Sequence, residues 1–540
     1  MEKDKLFSFF KFSKLMTIYI TYILSLISIV SFLVFYSNGL GLAYNDARSH
    51  LDIGRRVVEG LKPGLAQLGS VWLPLPHILM IPTIWIDFMW HSGLSGAMVS
   101  MVSFVATGVL IYQFLKHLNV GMTGRIFGVL VFVLNINILY LQSTAMTELL
   151  LLATMTASVY YLLLWHKDLK IVNLIKSSFF VMLSTLVRYD GWFLFLFSAG
   201  LVFLQALTNS NFSNIKKSLV LNYKKSEGTF ILYSSLAALG IFLWFLWNLL
   251  IFKDPFYFAF GPYSAHAQQT QLEGAGELIT KGNLILSTQH YLYALIYNSN
   301  IYVTILGLFG AVTLWLDNKT KSSVKFASSA LTVPLIFNIV ALYLGHSVLF
   351  IQGLSGNTWF NVRYGVMLLP SLAIFAGFLV HKLKVLRPAL IGIFLFTAFI
   401  QFQSADAVTI DDARVGSSQK NVTEVSGWLA QNAKDKEGFV LISAASHDAI
   451  IFSSGLPMSK FIHEGTGKYW ESATTNPERW ARWIIMRTHD DNDAVWKTVS
   501  KTPDFQNYNL VAKYPFADIY ELKDEFVPNV HTKPVLGKQK

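Results

Sequence analysis

The sequence predicts a polytopic α-helical membrane protein with about eleven transmembrane helices and a small C-terminal α/β domain outside the bilayer. Three observations predict it. Of 540 residues, 53% are hydrophobic and only 14% are charged, against roughly 25% charged in a soluble globular chain. The apolar residues gather into runs near the ~20 residues that a helix needs to cross. Basic residues recur in alternate links between those runs, as the positive-inside rule requires of a chain that crosses repeatedly. In such a chain a net charge of +11 orients the spans and need not mark a nucleic-acid partner; no RNA or DNA module is recognisable. There is no cysteine, so disulfides, thiolate nucleophiles and cysteine metal sites are excluded.

The first apolar run, 15–36, follows a basic stretch and reads as a signal anchor: it is longer than a signal-peptide core and has no small-x-small cleavage site. Further spans are predicted near 94–115, 124–143, 148–165, 229–252, 291–316, 326–350, 362–380 and 387–403. Two shorter runs, 174–187 and 192–207, flank Arg188-Tyr189-Asp190-Gly191 and read as a hairpin of short spans with a polar tip. Lys3, Lys5, Lys11 and Lys14 precede the first span. Later clusters are Lys116 with Arg125, then Lys167, Lys170 and Lys176, then Lys216, Lys217, Lys224 and Lys225. Lys319, Lys321 and Lys325 follow, and Lys382, Lys384 and Arg387 close the series. With the N-terminus cytoplasmic and eleven spans, every cluster is cytoplasmic and the C-terminal domain lies outside.

Residues 1–403 are therefore assigned to the membrane domain, with a first extracytoplasmic loop at 38–93, and residues 404–540 to an extracytoplasmic α/β domain. The loop segment VWLPLPHILMIPTIWIDFMW is aromatic and broken by Pro74, Pro76 and Pro82. A full span there would invert every later loop, so it is read as interfacial. In the tail, 421–433 reads as an amphipathic helix, and GFVLISAA, RWIIMR, YNLVAKY and DIYEL as short strands. Asn421-Val422-Thr423 is a sequon, a triplet that arises often by chance.

The first loop opens with YNDARSHLDIGRR. Asp46 and His50 are four apart and share one helical face; Arg48 and Asp52 share another. A carboxylate at the membrane surface can deprotonate a hydroxyl or amine, and cations there can meet a lipid-linked phosphate. Arg48, Arg55, Arg56 and Lys62 supply cations on the outer side, against the general positive-inside trend. An exposed helix with self-paired charges is the alternative. Glu148 begins a span at the outer surface, where it also suits a helix N-terminus. Arg188 and Asp190 either hold the hairpin as an internal salt bridge or line a cavity that meets an anion. Arg363 begins a span at the outer face, where it can snorkel. His77, His266 and His346 stand alone in the sequence, none pairing at metal-ligand spacing, so no metal site is predicted.

Four segments, YNDARSHLDIGRRVVEGLKPGLAQLGSVWLPLPHIL, LYLQSTAMTELLLL, LVRYDGWFLF and WFNVRYGVMLLPSLAIFAG, resemble the successive motifs of GT-C-type glycosyltransferases. These polytopic enzymes use polyprenyl-phosphate-linked sugars and include protein O-mannosyltransferases and the lipid A aminoarabinose transferase. The resemblance covers about residues 15–403, and the first-loop motif is its most specific part. It implies a GT-C-like fold and an inverting single displacement on the extracytoplasmic face. The partners would be membrane lipid, a polyprenyl-phosphate sugar donor and a glycan, lipid or protein acceptor. No cofactor beyond the lipid-linked donor is expected, and the cysteine-free outer domain fits a bacterial or archaeal cell membrane.

The family's essential first-loop acid matches Asp46, and its second outer-loop acid matches Glu148. Arg188 and Arg363 match, more loosely, basic residues near the lipid phosphate, which Arg55 or Arg56 would help to stabilise, and His50 and Asp190 fall to acceptor or acid support. This chain has Asn45-Asp46 where many relatives carry Asp-Glu, which leaves Asp52 as a second candidate base. Arg48, Arg55 and Arg56 around Asp52 predict that ion pairing holds it charged and structural, and that Asp46 is the base. A transporter or flippase of lipid-linked sugars, and a membrane scaffold with an outer binding domain, are the competing function classes.

Overall fold

In a computed structural model, residues 2–208, 215–262, 264–416 and 422–534 are described. The lysine side chains at 3–14 and 216–225 and the sequon residue Asn421 lie outside what is described. Packing divides the chain into two compact units. One comprises Met1–Ala43, Leu73–Pro76 and Ala97–Ser417; the other comprises Tyr44–Trp72, His77–Gly96 and Ser418–Lys540. The first loop and the C-terminal tail thus fold as one body.

The first unit is helical and integral to the membrane. Among the described residues, seven helices are long and apolar enough to cross: Leu15–Ser37, Leu94–His117, Glu148–Asp168, Glu227–Phe252, Ser322–Tyr343, Val362–Lys382 and Arg387–Val415. Two runs read as continuous spans are broken. Leu284–Ser299 and Ile301–Leu316 meet at 112°. The break is at Asn300 (φ +72°), whose side chain accepts from the Tyr302 N–H to start the second helix; asparagine tolerates that backbone region better than most residues. The run 124–143 divides into Met122–Val133 and Ile136–Leu141, because Asn135 caps the second piece through Ile138 N at 3.0 Å. The hairpin at RYDG is formed by the short helices Ile171–Thr185 and Asp190–Thr208.

Small residues set the packing of this unit. Val362–Lys382 is its most buried span. A Cβ on Gly124 would overlap the Gly377 carbonyl, and a Cβ on Gly310 would overlap that of Phe375. Backbones can approach this closely only where side chains are absent, the usual means of packing helices in lipid. A buried amide network adds specificity. Asn137 Oδ1 accepts from the Thr409 N–H (3.0 Å) and hydroxyl (2.8 Å), while Asn135 and Asn137 both donate to the Asn298 carbonyl.

In the second unit a five-stranded mixed sheet has the order β2-β1-β3-β5-β4. The strands are β1 Phe439–Ile442, β2 Phe461–Ile462, β3 Ala481–Met486, β4 Tyr508–Lys513 and β5 Asp518–Leu522. β1 pairs in parallel with β2 and β3, whereas β5 pairs antiparallel with β3 and β4. β1 and β3 are near-continuous apolar runs because both of their faces are covered. Edge strand β4 is largely exposed beyond the buried Tyr508. The amphipathic segment forms the helix Thr423–Asn432. In the first loop, Asn45–Val58 is helical, and the aromatic segment forms Leu75–Ile84 and Asp87–His91. A ten-residue helix is about 15 Å long, half the apolar thickness of a bilayer.

Candidate active site

The helix Asn45–Val58 carries the first group of candidate residues. Ala47, His50, Leu51 and Gly54 recur at helical spacing and are buried with Asp52, Ile53 and Arg55, so this helix is not the exposed, self-paired one that charge alone allowed. Asp46 lies in its first turn, half-buried, where a carboxylate suits the helix dipole. His50 is 5% exposed and His77 is fully buried. His50 Nδ1 lies 2.9 Å from His77 Nε2, and the Trp72 ring packs against His50 with centroids 4.3 Å apart, tilted by 40°.

Arg55 and Arg56, in the last turn, are both paired with carboxylates of their own unit. Arg55 holds Glu59 and Asp87, donates to the Ile84 carbonyl at 2.9 Å and lies over Trp90 at 4.7 Å. Arg56 reaches Asp448 Oδ2 at 3.3 Å.

Asp52 departs from expectation. It is fully buried, and its Oδ1 accepts from Trp90 Nε1 at 3.1 Å. Arg55 is engaged elsewhere, Arg48 donates to Asn45 and Ser453, and Arg56 makes its ion pair with Asp448. Burial, then the neighbouring Asp448 carboxyl, push the Asp52 pKa well above the carboxylate range, and Arg56 only partly offsets them. Asp448 is also raised, again chiefly by burial. The two carboxyls face one arginine, so this pair favours holding a proton; ion pairing does not keep Asp52 charged. His463, also buried, is pushed down to about 3 by burial and then by Arg56.

In the helical unit, Glu148 is fully buried at the first turn of its span. Its Oε1 accepts from Arg363 Nε at 3.1 Å and from Arg188 Nη1 at 3.3 Å. Arg188 Nε also lies 3.4 Å from Asp190 Oδ2, and Arg363 Nη1 lies 3.6 Å from Asp412 Oδ2. Both guanidiniums stand over the Tyr364 ring, at 4.9 and 5.5 Å. The structure therefore joins Glu148, Arg188, Asp190 and Arg363 into one buried cluster, and the RYDG arginine does form the internal salt bridge. Asp412 and Tyr364 are members that the sequence did not single out.

Asp448, His77 and Asp412 were missed because each meets its partner only through tertiary folding. The tail also holds a His447–Asp493 pair at 2.8 Å, in which Asp493 caps the helix Ala444–Ser454's neighbour Ala494–Val499 through Val495 N and Trp496 N. Among the described residues no three histidine, cysteine or acidic side chains come together as a metal site.

No protein-family model matches the sequence, and no match is found among curated proteins. Solved structures do match. ArnT from Cupriavidus metallidurans, bound to undecaprenyl phosphate, superposes with a TM-score of 0.53 at 10% identity, covering 93% of this chain and 98% of that one. The archaeal oligosaccharyltransferase AglB from Archaeoglobus fulgidus, in complex with an inhibitory peptide and a dolichol-phosphate, gives 0.47 at 11% identity, covering 88% and 69%. The chain thus shares the fold of ArnT over nearly the whole length of both.

Proposed function

We infer that this chain moves a sugar from a polyprenyl-phosphate donor to an acceptor on the extracytoplasmic face. The observation that carries the reading is the fold, matched over nearly the whole of ArnT, a protein solved with undecaprenyl phosphate bound. A fold alone does not assign a reaction; the residues supply the chemistry. Asp46 takes the proton of the acceptor hydroxyl or amine as that atom attacks the anomeric carbon. The bond from this carbon to the phosphate oxygen breaks, and the polyprenyl phosphate leaves with the electron pair. One displacement inverts the anomeric centre. His50 supports Asp46.

The departing phosphate gains charge, so fixed cations act mainly on the transition state. Arg188 and Arg363 fill that role by exchanging part of their contact with carboxylate for phosphate oxygens, with Glu148 and Asp190 holding their planes meanwhile. Arg55 and Arg56, each paired within its own unit, act as braces of the loop helix. In this reading the chain crosses eleven times, the three short helices Met122–Val133, Ile171–Thr185 and Asp190–Gln205 and the bent pair included.

The bent pair favours a second reading, since discontinuous helices also build the sites of secondary transporters. One experiment separates the two. Purified protein in sealed vesicles is given a panel of radiolabelled sugars on undecaprenyl phosphate. A transferase releases undecaprenyl phosphate when acceptor is added; a transporter moves the intact sugar–lipid across the bilayer and leaves the sugar–phosphate bond whole. Topology has its own check in this cysteine-free chain. Cysteines placed at Ser49 and Ser472 should react with an impermeant reagent in intact cells and one at Ser322 should not. The reverse pattern inverts the orientation.

A further inference from the structure

His50 and His77 stand 27 residues apart and are both buried, with Nδ1 and Nε2 at 2.9 Å. Two imidazole nitrogens at that distance need one proton between them: two N–H groups repel, and two bare nitrogens make no bond. The tautomers of the rings are therefore coupled. Burying two heteroaromatic rings also costs desolvation that leucine or phenylalanine would avoid, so filling space is a poor account of the pair.

The surroundings hold this geometry firmly. The Trp72 ring packs against His50, tilted by 40°. One turn further along, the loop helix packs against the next at Gly54, where an added Cβ would make ordinary contacts, 3.5 Å from Ile84 Cγ1 and 3.9 Å from the His77 carbonyl. His50 itself is one turn after Asp46, on the same stripe of the helix.

We propose that His77 is a positioning residue that donates its Nε2 proton to His50 Nδ1 and thereby keeps the proton of His50 on Nε2. His50 is then a donor at its second nitrogen, the form able to aim the Asp46 carboxylate. The reverse tautomer would present a bare nitrogen, which repels a carboxylate. His77 thus acts through His50 without touching substrate. The inference rests on the transferase reading above.

The test pairs two variants with a spectroscopic measurement. His77→Gln retains a group that can donate to His50, whereas His77→Leu keeps comparable bulk and removes the bond. With saturating donor, His77→Leu should lower kcat by on the order of 10²-fold, as small misplacements of catalytic groups do. Its KM for the lipid donor should stay unchanged, and His77→Gln should recover most of the rate. Equal rates in His77→Leu and the parent, or equal losses in both variants, would overturn the proposal. Nitrogen-15 spectra of histidine-labelled protein give an outcome independent of turnover. The proposal requires protonated Nε2 and bare Nδ1 on both rings; protonated Nδ1 on His50 contradicts it. If the parent protein transfers no sugar, or Asp46→Asn keeps full turnover, the transferase reading fails and the positioning role with it. The spectra still report whether the pair has the assigned tautomer.

Discussion

The two buried charge clusters are built on opposite plans. In the helical unit, the Glu148 carboxylate bridges two guanidiniums, each of which also meets a second acid. In the loop-and-tail unit, two carboxyls, Asp52 and Asp448, face a single arginine, and only Asp448 is ion-paired. The first plan gives every buried acid a guanidinium partner and fixes both cations in place. The second answers burial by retaining a proton. Buried acids in one chain therefore do different work according to how many cations fold against them, and that number is invisible in the local sequence.

The largest effect is expected where the first plan is broken. Glu148→Ala removes the oxygen shared by Arg188 and Arg363 and leaves two cations underpaired in a buried setting. Breaking a buried pair on one side typically costs about 3–5 kcal/mol. The variant should show strongly reduced folded yield and a lowered thermal midpoint in detergent. A midpoint equal to the parent's would mean that Glu148 is not the keystone of the cluster.

The second plan predicts a change of opposite sign. The folded-state pKa of Asp52 lies above its unfolded value near 3.9, so the folded protein binds the extra proton. Its contribution is intact below that unfolded value and declines as pH rises toward the folded one. Asp52→Asn keeps an oxygen for Trp90 Nε1 and removes the titration. It should raise the thermal midpoint at pH 7–8 and match the parent near pH 4. A fall in midpoint at pH 8 would restore the ion-paired account of Asp52.

His463 works against this trend in the same unit. Its folded pKa of about 3 lies below the unfolded value near 6.5, so stability is lost as pH falls through 6.5, by about 1.4 kcal/mol per pH unit. His463→Asn retains an acceptor for the Gly465 N–H and should flatten the loss between pH 6 and 4. Hydrogen exchange of the sheet strands in the full-length protein would follow it. An unchanged acid limb would assign the loss to other groups.

The smallest effects contrast glycines of the two units. Gly54→Ala meets only ordinary contacts and gains helix propensity, so it should stabilise by up to about 1 kcal/mol. Gly365→Ala, beside Arg363, would drive a Cβ into the Ala294 carbonyl and should destabilise. Equal thermal midpoints for both variants would refute this contrast.

Much of the architecture was legible in the sequence because it follows from local patterns. Apolar run length located the seven helices long enough to cross among the described residues, and short apolar runs located four of the five strands; β2, with two residues, is too short to leave a pattern. Breaks were harder. Asn135 and Asn300 interrupt apolar runs without proline or glycine, and only their caps identify them as ends. Of the candidate site, Glu148, Arg188, Asp190 and Arg363 could be found as charges next to spans, where burial is costly without a partner. Their partners could not. Arg363 meets Glu148 across 215 positions, and Arg56 meets Asp448 across 392. His77 looked solitary because its neighbour lies on another helix. Asp52 was misjudged for the same reason: Arg55 and Arg56 pair with other acids, Arg48 donates to Asn45 and Ser453, and the decisive neighbour is a carboxyl from the tail.

The central claim is that Asp46 is the base of a sugar transfer and Asp52 is a proton-holding structural acid. Single-turnover release of undecaprenyl phosphate from a saturating sugar–lipid donor, in Asp46→Asn and Asp52→Asn side by side, tests it most directly. Asp46→Asn should fold normally, bind donor as the parent does, and lose a factor on the order of 10²–10⁴ in the chemical step. Asp52→Asn should keep near-parental release. A well-folded Asp46→Asn protein with parental release beside a folded, inactive Asp52→Asn protein would contradict the account.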